Sequence, residues 1–160
     1  MQHILIPTDF TVDSLEILTI ALEGEKSQNL NITLVYGAHL SSSITDLLFF
    51  SKSSFIEKLQ EPDFNEALAI IRNKYADRIN SLRMDLFLGR THGGFRDFVE
   101  RNGITKVYIP KSEALLRVDG KKGFNLLPFL RNIDVESKEI NYNRVGQNSN
   151  DISLSKLLIP

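Results

Sequence analysis

The sequence predicts an α/β domain: an open parallel sheet with helices on both faces. Short apolar runs alternate with segments of helical periodicity along most of the chain. The first run, Ile4-Leu-Ile6, is continuously apolar, as a strand buried on both faces requires, and Pro7, Gly37, Gly89 and Pro110 punctuate the runs. Strands separated by helices imply right-handed βαβ crossovers.

After Pro7 the spacing predicts a helix with Thr11 as N-cap, acidic Asp13 and Glu16 in its first turn, and Leu15, Leu18 and Leu22 on one face. The β-branched and aromatic run Ile32-Thr-Leu-Val-Tyr36 is the second strand. Residues 39–62 read as a long, partly helical insertion. Its cluster of Leu47 to Phe50 with Phe55, Ile56 and Leu59 is too apolar for an exposed connection. It packs over the sheet or docks a second subunit or another protein. Asp63 and Glu66 form the pattern of a capping box, and apolar spacing carries the following helix to about Leu82.

Met84 to Leu88 is the third strand, and Phe95, Phe98 and Val99 mark a helix ended by Asn102-Gly103. Lys106 to Pro110 is the fourth strand, and Phe124 to Leu130 a short helix that tolerates Pro128 near its first turn. Val135 to Ile140 is polar, as an edge strand often is. One domain is expected over residues 1–142, with a tail, residues 143–160, docking on that domain or on a neighbouring subunit.

Nineteen basic and twenty acidic side chains leave a formal charge of −1, so no global field gathers nucleic acid, and no nucleic-acid partner is expected. Cysteine is absent, which excludes disulfides and thiolate chemistry. No apolar run approaches the roughly 20 residues of a membrane span, and the N-terminus lacks a signal pattern, so a cytoplasmic location without membrane contact is expected. His3, His39 and His92 fit no zinc-site spacing, and there is no nucleophile elbow, so neither a metal nor a catalytic residue is expected. Gly89-Arg-Thr-His-Gly-Gly94 fits neither the dinucleotide fingerprint nor the P-loop and reads as a flexible connection.

The segment Ile4-Leu-Ile-Pro-Thr-Asp-Phe-Thr11, followed by a helix and Ile32-Thr-Leu-Val-Tyr36, resembles the start of universal stress proteins. The order of elements to about Ile140 is similar as well. That resemblance implies a Rossmann-like, five-stranded parallel sheet in the order 3-2-1-4-5, a homodimer, and a site that binds ATP in some members and not in others. It implies no established chemical step. In nucleotide-binding members the positions of Pro7, Thr8 and Asp9 approach the adenosine, and that of Val35 packs near the base.

The phosphates of such members lie on a motif Gly-x-x-Gly, nine residues, Gly-Ser/Thr, whose bare amides and helix N-terminus face the anion. Aligned on Val107-Tyr-Ile109, this chain has Pro110, Glu113, Gly123 and Phe124 at those positions, keeping only Gly123. Proline donates no amide hydrogen, Glu113 repels phosphate, and Phe124 lacks a hydroxyl. Against this, Lys111, Arg117, Lys121 and Lys122 make the loop basic, either as a solvated surface or as an anion site. Asp9 either faces a ligand or closes the β–α turn.

Two functions follow. The favoured one is a non-enzymatic, homodimeric module with a degenerate ATP site and no cofactor, acting through protein contacts at segments 47–59 or 152–159. The other is an adenine-nucleotide-binding or weakly hydrolysing stress protein, holding ATP or AMP weakly with Pro7, Thr8, Asp9, Val35, Gly123 and Lys121 and using loop 111–122 for phosphates.

Overall fold

Alternation of side chains along each strand divides the apolar residues between two cores. Ile4, Ile6, Ile32, Leu34 and Tyr36 belong to one, and Leu5, Val35, Val107 and Ile109 to the other. The computed structural model describes residues 2–40, 43, 47–111 and 122–142.

Its elements are β1 (His3–Pro7), α1 (Leu15–Gly24), β2 (Leu30–Gly37), α2 (Lys52–Leu59), α3 (Phe64–Lys74), β3 (Ile79–Phe87), α4 (His92–Arg101), β4 (Lys106–Pro110), α5 (Leu127–Arg131) and β5 (Glu136–Ile140). They form a five-stranded sheet in the order β3-β2-β1-β4-β5, as the resemblance implied. Every ladder is parallel, with His3 opposite Asn31 and Pro7 opposite Val35. The α1, α2 and α3 helices cover the first core, while α4 and α5 cover the second. Each fully buried Leu or Ile in these layers contributes roughly 1.5–3 kcal/mol.

Three local readings differ from the structure. The helix after Asp63 ends at Lys74, and Ile79 and Leu82 lie on β3. Tyr75 and Ile79 continue the 3.6-residue period of α3 by coincidence, while Leu82, Met84 and Leu86 already alternate at strand period on β3. Asp63 is the N-cap residue of α3 but makes no side-chain cap hydrogen bond, so the capping box does not form. Helix α1 starts at Leu15, because residues 11–14 form a hydrogen-bonded turn in which Thr11 Oγ1 accepts from Ser14 N at 3.2 Å.

The insertion divides in two. Ile56 is buried, and Phe50, Phe55 and Leu59 pack against the first core, whereas Leu47, Leu48 and Phe49 are 44%, 75% and 82% exposed. Among the described residues no helix is long and apolar enough to cross a membrane.

Candidate functional site

In a doubly wound sheet the ligand crevice lies beyond the carboxyl ends of the strands, where the order reverses on either side of β1. Thr8 enters it still tied to the sheet, its N–H donating to Val35 O at 3.0 Å. Thr8 Oγ1 accepts the Phe10 N–H at 3.0 Å and lies 3.1 Å from Ser14 Oγ. Asp9 Oδ1 accepts from Thr11 N at 3.1 Å and from the Thr11 hydroxyl. Ser14 Oγ donates to Thr11 O at 2.8 Å. The Asp9 carboxylate therefore closes the β–α turn, a local alternative to helix that Asp and Thr side chains favour. The network also holds Phe10 at φ 60°, where a non-glycine residue costs about 1–2 kcal/mol. Burial of the Phe10 ring against Tyr36 and Phe64, at 5.5 and 5.6 Å, offsets that cost.

Across the crevice, residues 122–124 fold back onto the end of β2. His39 N donates to Lys122 O at 2.9 Å, Phe124 N donates to Gly37 O at 3.0 Å, and Ala38 and Gly123 form an antiparallel bridge. Two glycines make this approach feasible. A Cβ on Gly123 would lie 1.9 Å from the Tyr36 phenol oxygen, and one on Gly37 would lie 2.8 Å from the Phe124 ring. Tyr36 thus covers Gly123 and Phe124 covers Gly37.

Pro7 and Val35 are buried within the sheet, Val35 packing in the second core. Pro110 ends β4 opposite Ile140, and Lys111 donates its N–H to Ile140 O at 3.1 Å. Lys121 lies outside the described residues, as do Glu113, Arg117 and the tail, residues 143–160. Of the residues singled out from sequence, Pro7 and Thr8 lie beside Val35, Gly123 bridges to Ala38 just past the end of β2, and Asp9 sits in the β–α turn with Thr11. The return of residues 122–124 sets Gly123 against Tyr36 and Phe124 beside His39, pairings with no local sequence signal.

Phe124 belongs to a ring cluster centred on Phe87, which contacts Phe95, Phe98, Phe124 and Phe129 at centroid distances of 5.0 to 6.0 Å. His39 stands 5.1 Å from the Phe124 ring and divides the space at this end of the sheet. On one side a groove of about 330 Å³ is lined by Phe50, Phe55, Lys58, Lys122 and the exposed Phe49. On the other, a cavity of about 470 Å³ lies between Arg90, Phe124 and Phe129.

At the opposite end of the sheet a buried ionic cluster joins α1 to β4 and β5. Lys106 Nζ lies 2.6 Å from Glu25 Oε2 and 3.1 Å from Glu136 Oε2, and the Tyr108 hydroxyl donates to Glu25. Burial by itself would raise the Glu25 pKa. Hydrogen bonds from Lys106 and Tyr108, with the Lys106 charge, outweigh it and hold the carboxyl below its ordinary value. Burial and the Glu25 carboxylate together push the Tyr108 phenol well above its usual range. This cluster is remote from the crevice and ties elements together.

The fold and site define a doubly wound α/β domain in which residues 122–124 return to the end of β2. No family model and no curated protein matches the sequence. Similar solved structures include a universal stress protein family member from Burkholderia pseudomallei, at 12% identity over 87% of this chain and 95% of that one, with a TM-score of 0.49. Universal stress protein UspA from Lactobacillus plantarum matches at 16% identity over 88% and 97%, with a TM-score of 0.48. A universal stress protein in complex with cAMP matches at 13% identity over 89% and 98%, with a TM-score of 0.48. These three structures are universal stress proteins, the family that the opening segment resembles.

Proposed function

We propose that the chain is a non-enzymatic, universal-stress-protein-like module with a degenerate ATP site, working as a homodimer through protein contacts. The observation that carries this reading is the return of residues 122–124 onto the end of β2. The Tyr36 phenol occupies the space over Gly123, Phe124 joins the ring cluster, and the Asp9 carboxylate is engaged by Thr11. A triphosphate needs amide and hydroxyl donors, and at their motif positions Pro110 has no amide hydrogen and Phe124 no hydroxyl. Calorimetric titration tests the reading: ATP and AMP are expected to show no tight binding. A dissociation constant in the low micromolar range would overturn it.

The contact surface in this reading is the exposed Leu47-Leu-Phe49, seated against a second copy of the chain, with the apolar segment 152–159 as a further docking element. The competing nucleotide-binding reading draws on Lys122, which lines the 330 Å³ groove with His39 and Lys58. It requires that charge reversal at Lys121 and Lys122 lower nucleotide affinity.

A further inference from the structure

The cavity between the β3–α4 loop and α5 has a chemistry that the reading above does not use. It measures about 470 Å³ and is lined by His39, Gly89, Arg90, Phe124, Asn125 and Phe129. Small-molecule sites span roughly 300–1,000 Å³.

Its floor is a rigid aromatic corner. The Phe124 and Phe129 rings meet at 5.6 Å and 64°, and both rest near-perpendicular on buried Phe87, at 74° and 69°. Contact with Phe87 fixes the two rings, yet each remains only half-buried. His39 lies beside Phe124 at 5.1 Å and His92 beside Phe129 at 4.8 Å, so a histidine ring flanks each phenylalanine of the corner. Gly89 keeps the loop close to the floor, since a Cβ there would lie 2.6 Å from the Phe87 ring.

The polar lining has one sign. None of the lining residues is acidic, and among the described residues Arg90 is exposed with no hydrogen-bond or ion-pair partner. The Asn125 side-chain oxygen accepts the Leu127 N–H at 3.1 Å, which leaves its amide nitrogen as a donor. A planar apolar corner edged by a guanidinium and an amide donor matches a flat ligand carrying one acid group. Rings stack on or abut the two phenylalanines, and a guanidinium takes a carboxylate through two parallel hydrogen bonds.

We propose that this pocket binds a small planar aromatic carboxylate, its ring in the Phe124–Phe129 corner and its acid group on Arg90. The inference does not rest on the degenerate ATP site. ATP affinity tests that site, and naphthoate affinity tests this pocket.

The experiment titrates the full chain with naphthoate, and in parallel with the neutral naphthamide, the saturated cyclohexanecarboxylate, and AMP. Naphthoate is expected to bind saturably at one site. Naphthamide and cyclohexanecarboxylate are expected to bind at least about tenfold more weakly, the scale of one charge-assisted hydrogen bond or one ring contact. Arg90→Gln changes an exposed side chain, so it should leave the melting temperature unchanged while weakening naphthoate about tenfold. Phe129→Leu should weaken naphthoate and not cyclohexanecarboxylate. Absence of saturable naphthoate binding, equal affinity for naphthamide, or indifference to Arg90→Gln would each overturn the assignment. AMP binding more tightly than naphthoate and depending on Arg90 would replace the carboxylate by a phosphate.

Discussion

Gly123 shows how one residue type is fixed by a neighbour far away in sequence. The Tyr36 hydroxyl would lie 1.9 Å from a Cβ there, within a bridge that also fixes Ala38. Gly123→Ala should therefore cost about 1–3 kcal/mol as overpacking. Chemical denaturation checks this, and the cost should shrink in a Tyr36→Ala background, because the two changes act on one contact. An equal cost in both backgrounds would show that Tyr36 does not hold the position. Lys106 provides a second case. With side chains only 11% and 6% exposed, Lys106 and Glu25 form a buried pair, and removing one charge strands the other. Lys106→Ala should destabilise by about 3–5 kcal/mol in urea denaturation. Glu136→Ala, at a 65% exposed side chain, should cost less than about 1 kcal/mol.

At the scale of elements, His3 links three strands at their amino ends. Its backbone N–H donates to Thr105 Oγ1 at 3.1 Å, next to β4, and its Nε2 lies 2.7 Å from Thr33 Oγ1 on β2. Burial, then the nearby Arg83 charge, lowers the His3 pKa below its ordinary 6.5. The unfolded chain therefore takes up this proton first as pH falls. The contribution to stability is complete above 6.5 and is lost progressively as pH drops below it toward the lower folded value. Melting curves across that window should be steeper in pH for the wild type than for His3→Gln, and identical slopes would refute the assignment. Strand β3, at the other edge of the sheet, carries its own protection against further pairing. The Leu86 N–H donates to the Asp85 carboxylate at 2.7 Å, and the Leu82 carbonyl accepts from Arg72 at 3.1 Å.

At the scale of the whole molecule, the large apolar side chains exposed among the described residues are Leu47, Leu48 and Phe49. Replacing Leu48 and Phe49 with serine removes no described core contact, so stability should stay within about 0.5 kcal/mol. If a second copy covers this surface, light scattering should show the double variant as a monomer at concentrations where the wild type is a dimer. A dimer that survives both substitutions would move the interface elsewhere.

The order of strands and helices was legible because each rests on local signals: the apolar run at Ile4 to Ile6, the β-branched run at Ile32 to Tyr36, and the stops at Gly37 and Gly89. The resemblance of the opening segment added the 3-2-1-4-5 arrangement. Where helical and strand periods overlap, between Tyr75 and Leu82, local pattern failed, because pairing of Leu82 with Ile32 made that stretch a strand. The site was legible only in part. Sequence marked Pro7, Thr8 and Asp9, which lie within one short stretch of chain beside Val35. That Tyr36 sits on Gly123 and that Phe124 and Phe129 form a corner over Phe87 were decided by tertiary structure alone. The contacts of Tyr36 with Gly123 and of Phe87 with Phe124 and Phe129 join segments dozens of residues apart, and no local propensity encodes them.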